Sequence, residues 1–256
     1  MTVTSQKESD GISAAGKSAA IILREMCSFA SPGISTLELD AFGLRLMKEL
    51  GAVSAPMKFY NFPKATCISV NHEAAHGIPS AKNILREGDL LNIDVSLEQN
   101  GYVADNGCSL IVGRDIHHLA PLVQCSKEAL QLAVQQCVHG EKIRTIGKII
   151  FEHAKKNNFR VIKNLTGHGV GKSLHEFPHE IACYEDKQNT NKFKKDLVVA
   201  VETFISTKAE YVQTESDGWT LSTPDGSFVA QHEHTILITE GEPIILTYEN
   251  GIENIL

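Results

Sequence analysis

Over the first thirty positions the apolar residues return at steps of three and four. Ile12, Ala15, Ala19, Ile22 and Met26 share one face, which predicts a helix over residues 11–30, stopped by Ser31-Pro32-Gly33. Positions 1–10 carry no such stripe and read as a short polar tail. A second helix starts at Ser35, where Ser35 and Glu38 have capping-box spacing, and Leu39, Phe42 and Leu46 carry its stripe toward Gly51. The aromatic stretch from Phe59 to Phe62 reads as a loop. Over residues 89–96 the period changes to two, with Leu91, Ile93 and Val95 on one side and Asn92, Asp94 and Ser96 on the other. Glu98-Gln99-Asn100-Gly101 then turns the chain into residues 102–112, a hairpin that carries a second acid, Asp105.

The pattern then repeats. Residues 121–137 and 145–156 read as two helices, the first closed by Gly140, and residues 197–206 and 228–239 read as strands rich in β-branched side chains. Each of these strands holds one glutamate, Glu202 and Glu233. His76-Gly77-Ile78-Pro79 is echoed by His168-Gly169-Val170-Gly171, consistent with an internal duplication. The chain therefore reads as one α+β domain over residues 1–256 with pseudo-symmetric halves.

Asp94, Asp105, Glu202 and Glu233 lie in apolar strand contexts, where an ionised carboxylate costs several kcal/mol unless it is paired or metal-bound. No Lys or Arg occupies those strand segments, apart from Lys208 just beyond one end, so the acids together with His168 point to a metal site rather than a salt-bridge network. Four carboxylates and one imidazole make a mostly hard donor set, suited to two divalent ions such as Mn, Fe, Co or Zn. His76, in its His-Gly-Ile-Pro turn, and His175, seven residues after His168, stand outside that set as hydrogen-bonding candidates. His72, His117, His118, His139, His153 and His179 read as loop or surface residues, and His232 and His234 as packing on the strand face opposite Glu233.

Composition narrows the class. Hydrophobic residues at 42% and charged residues at 21% fit a soluble globular chain and exclude a largely disordered one. A net charge of −7 excludes a general nucleic-acid binder, and Lys192, Lys194 and Lys195 read as a solvated turn. Six cysteines without a C-x-x-C pair match neither a disulfide framework nor a zinc knuckle, which suits a reducing cytoplasm. With no apolar signal core and no long apolar window, neither export nor membrane insertion is expected.

Cys67-Ile68-Ser69-Val70-Asn71 leading to His76-Gly77-Ile78-Pro79, then Asn92-Ile93-Asp94-Val95, Gly167-His168-Gly169-Val170-Gly171, Asp217-Gly218-Trp219-Thr220 and Glu233-His234-Thr235, closely resemble type I methionine aminopeptidases over about residues 11–239. The resemblance implies the pseudo-symmetric pita-bread fold and removal of the N-terminal methionine from nascent polypeptides with small second residues. It implies Asp94 and Asp105 on one divalent ion, His168, Glu202 and Glu233 on the other, and Asp105 and Glu233 bridging both. It further implies Glu202 as proton carrier, His76 and His175 beside the scissile bond, and Phe59, Phe62 and Trp219 around the methionine side chain. Work near the ribosome is expected on the same ground, and a monomer is expected. Pro56, Leu174, Thr203 and Asn106-Gly107 depart from the family pattern, where a cysteine, a phenylalanine, a proline and a threonine are usual. Pocket shape and ligand-strand geometry are thereby open, as are a divergent paralogue of weak activity, another aminopeptidase specificity and a non-catalytic peptide-binding module on the same fold.

Overall fold

The computed structural model describes residues 1–252. The first half runs α1 (Gln6–Phe29), α2 (Thr36–Glu49), β1 (Val53–Ser54), α3 (Ala55–Tyr60), β2 (Cys67–Val70), β3 (Glu73–Ala75), β4 (Leu90–Gln99) and β5 (Tyr102–Ile111). The second half runs α4 (Ala120–Val134), α5 (Ile143–Lys156), β6 (Arg160–Val161), β7 (Thr166–Gly169), β8 (Glu176–Ala182), β9 (Val198–Ser206), β10 (Gln213–Thr214), β11 (Leu221–Ser222), β12 (Val229–Leu237) and β13 (Ile244–Ile245). This is an α+β fold with two larger antiparallel sheets, each covered on one face by a helix pair, and a small three-stranded sheet in the order β10-β11-β3.

Each half is built on a long antiparallel pair. β4 and β5 pair from Leu90↔Ile111 to Gln99↔Tyr102, closed by Asn100 and Gly101, whose φ values of 53 and 86 suit a tight right-twisted turn. β9 and β12 pair from Val198↔Leu237 to Ser206↔Val229. α1 packs on the first pair, burying Ile12, Ala15, Ala19, Ile22 and Met26, and α4 packs on the second. β5 and β12 meet through side chains rather than a ladder. Thr235 Oγ1 accepts from Asp105 N at 2.9 Å and donates to Asp105 O at 2.7 Å, and Ser109 Oγ accepts from Gln231 N at 2.9 Å. The acids of the two hairpins are thus brought to one seam.

Three elements differ from the sequence expectation. Residues 1–10 are not a tail: Thr2 bridges Leu197, the Met1 carbonyl accepts from Val198 N at 2.8 Å, and α1 already starts at Gln6 behind a Ser5 cap. A single isolated bridge is too short to register as a period. Of the stretch 59–62 read as a loop, Phe59 and Tyr60 instead end α3 (Ala55–Tyr60), which starts with Ser54 Oγ accepting from Met57 N at 3.3 Å and Pro56 in the first turn. α4 ends at Val134, well short of Gly140. The Ser35–Glu38 capping box forms as its spacing requires. No helix among the described residues is long and apolar enough to cross a membrane.

Candidate metal centre

A cavity of about 360 Å³ opens along the seam between the hairpins. Strand alternation decides what lines it. On β4 the inward face is Asn92, Asp94 and Ser96, and opposite them on β5 stand Ser109, Gly107 and Asp105. On the other half Glu202 and Glu233 are cross-strand partners, one directly opposite the other. Like charges so placed repel, and both side chains are buried, so their proximity needs a compensating cation or bound protons. Burial first, then the neighbouring acids, pushes Asp94, Glu202 and Glu233 well above the ordinary carboxylate range.

His168 completes the cluster. Its Nδ1 lies 3.0 Å from the Gly169 carbonyl, which can only accept, so the proton sits on Nδ1 and the Nε2 lone pair is free. Nε2 stands 3.7 Å from Asp105 Oδ2 and 3.9 Å from Glu202 Oε1, too far for hydrogen bonds. Burial lowers this histidine to about 4, leaving it neutral at pH 7 as ligation requires. One donor atom each from Asp105, His168 and Glu233 falls within 4.8 Å of the others, and Glu233 Oε1 is buried with no hydrogen-bond partner. Among the described residues, no Lys or Arg lines the cavity. Oxygen-rich donors, a neutral imidazole, an orphaned carboxylate oxygen and no competing cation fit a divalent metal ion. Asp94 joins the cluster through Ser96, whose Oγ reaches Asp105 Oδ1 at 2.7 Å and Asp94 Oδ1 at 3.3 Å.

His76 and His175 both line the cavity. His76 follows β3 with φ 54, a left-handed conformation uncommon outside glycine, and Gly77 behind it has no room for a Cβ, which would stand 2.3 Å from the Ile68 carbonyl. The His175 ring centroid is 4.0 Å from that of His168. Enclosure in the cavity, with His168 beside it, lowers His175 to about 4.

The aromatic side of the cavity brings corrections. Phe62 and Trp219 line it, ring edge to ring face at 5.2 Å, and Leu174 is buried there with Pro56. Phe59 does not line it: α3 advances about 100° per residue, so Phe59 turns onto the core and Tyr60 turns inward. His179 is exposed, as read, and also borders the cavity. Thr203 and Asn106 lie on the strand faces turned away from it. Thr203 Oγ1 is 2.8 Å from Ser126 Oγ on α4, and Asn106 Nδ2 donates to the Val95 carbonyl at 3.0 Å. His232 and His234 share the buried face away from Glu233, as read, at 2.9 Å from Ser126 and Thr247 respectively.

Gln231 was missed by the sequence reading. It donates to Glu233 Oε2 at 3.0 Å and accepts from Asn92 Nδ2 at 2.7 Å, so it ties the two hairpins together beside the acids. Its signal was available, because Gln231 stands two residues before Glu233 and therefore on the same face.

Residues 10–240 match the model of metallopeptidase family M24. The chain is 49% identical to methionine aminopeptidase 2 of Bacillus subtilis over 96% of its own length and 99% of the relative's. Its fold superposes on a crystal structure of methionine aminopeptidase from Thermotoga maritima with a TM-score of 0.92 at 33% identity, covering 96% and 99% of the two chains. Prolidase from Pyrococcus furiosus is a more distant likeness, with a TM-score of 0.74 at 25% identity over 96% of this chain and 65% of that one.

Proposed function

Because the chain belongs to metallopeptidase family M24, we infer that it is a metal-dependent aminopeptidase that removes the N-terminal methionine of a polypeptide. The observation that carries this reading is the cavity itself: three buried acids and a neutral histidine converge where no protein cation meets them. Asp94, Asp105, His168, Glu202 and Glu233 would hold two divalent ions, drawn from Co, Mn, Fe or Zn. Metal bound there would lower the pKa of a water molecule and polarise the first peptide carbonyl.

The remaining chemistry belongs to side chains of this protein. Glu202 takes the proton from the attacking water and delivers it to the departing amine. His175 and His76 hydrogen-bond the peptide and the oxyanion that develops on its carbonyl. Phe62, Trp219 and Leu174 enclose the thioether, an apolar and polarizable group suited to an aromatic wall. A small second residue lets the rest of a nascent chain leave past the acids.

The test is an assay of Met-Ala-Ser, Leu-Ala-Ser and an Xaa-Pro peptide on metal-stripped protein with manganese or cobalt restored. The methionyl peptide should be cleaved about 10- to 200-fold more efficiently than the leucyl one, the scale of one methylene-sized contact. Full activity in excess EDTA, or a preference for Xaa-Pro, would overturn the reading.

A further inference from the structure

We propose that Tyr60 is a positioning residue for the reaction, its hydroxyl donating to His175 Nδ1 and so holding the ring proton on Nε2, the nitrogen free to hydrogen-bond the substrate carbonyl. The inference rests on the functional reading above and adds to it the residue that selects the useful form of His175.

Tyr60 closes α3 at the rim of the cavity, and its phenolic oxygen lies 2.7 Å from His175 Nδ1, with the two rings edge to face at 5.3 Å. A neutral imidazole carries one donor and one acceptor nitrogen, and the bond made by one fixes the role of the other. Phenol is a far better donor than acceptor toward an imidazole nitrogen, so the O–H points to Nδ1. Partial burial raises the Tyr60 pKa, which keeps that proton in place at neutral pH. Among the described residues, His175 Nε2 has no protein hydrogen-bond partner, and the ring lines the cavity beside His168. Nε2–H is therefore a free donor. The reverse arrangement, with Nδ1–H donating to the phenolic oxygen, would put a lone pair on Nε2 and repel a developing oxyanion. Tyr60 is 43% exposed, so it is not held there as part of the core.

The experiment has two halves. Nitrogen-15 spectra of imidazole-labelled, metal-free protein should show the His175 proton on Nε2 in wild type and a mixture of tautomers in Tyr60→Phe. With metal restored, Tyr60→Phe should lower kcat about 5- to 10-fold, the scale of one neutral hydrogen bond, with KM and bound metal unchanged. In a His175→Ala background the same substitution should do nothing further, because its effect passes through that ring. A proton on Nδ1 in wild type, an unchanged kcat, or a loss that adds fully to that of His175→Ala would overturn the proposal. A wild-type protein inactive on Met-Ala-Ser would instead remove the functional reading, and the spectra would still decide the bond.

Discussion

At the scale of single residues the proposed chemistry concentrates on Glu202. It is buried, faces Glu233 across the ladder, and has Gln231 Nε2 3.5 Å from one carboxylate oxygen. Burial, then Asp105, raises its pKa, which suits the proton carrier proposed above. Glu202→Gln keeps the shape but cannot shuttle the proton, and it should lower kcat by about 10²-fold or more while peptide still binds. Single-turnover kinetics beside a peptide-binding titration measures both, and near-normal turnover would move the proton carrier elsewhere. The acids and His168 were legible as residues because charged groups in apolar strands need an explanation. Tyr60 was not, since only the rotation of α3 exchanges it for Phe59.

At the scale of elements, Gly107 shows how a strand makes room for a site. It stands opposite Asp94, and a Cβ there would come 2.2 Å from Gln231 Oε1. In Gly107→Ala the Gln231 amide must swing aside, losing its bonds to Glu233 and Asn92. Such outer partners orient ligands, and their loss typically weakens metal binding about 10- to 100-fold. Calorimetric titration of Gly107→Ala with manganese should find a Kd raised on that scale while the fold is retained. An unchanged Kd would mean that the amide does not orient Glu233. Thr203 belongs to the same scale, because its hydroxyl couples β9 to Ser126 of α4 and to the His232 carbonyl rather than reaching the cavity.

For the whole molecule, the cost of the site appears as pH-dependent stability. Without metal, the folded chain keeps protons on Asp94, Glu202 and Glu233 that an unfolded chain releases near the ordinary value of 4.5 for glutamate. Their contribution is present below that value and is lost as pH rises through the raised pKa values. His168 and His234, lowered to about 4, and His232, lowered to about 3, act at the other end. They cost stability as pH falls from the ordinary 6.5 and are silent above about 7. Chelated protein should therefore show a Tm that falls with rising pH once the histidines are silent, while saturating metal should raise it and flatten the slope. A hundredfold excess of metal over Kd contributes ~2.7 kcal/mol. A metal-free Tm that is flat or rising once the histidines are silent would refute the account.

The local periods and turn chemistry determined α2, the body of α1 and the four long strands β4, β5, β9 and β12 to within a few residues, because a face buried by period 3.6 or 2 depends only on neighbours in sequence. They also marked Asp94, Asp105, His168, Glu202 and Glu233 as out of place in their surroundings. Which acid faces which, the seam made by Thr235 and Ser109, the link through Gln231, the packing of Met1 and Val3 onto the second half, and the exchange of Phe59 for Tyr60 were decided only by tertiary structure. These contacts join positions far apart in sequence, so their geometry follows from how the two halves pack and leaves no periodic trace in either half alone.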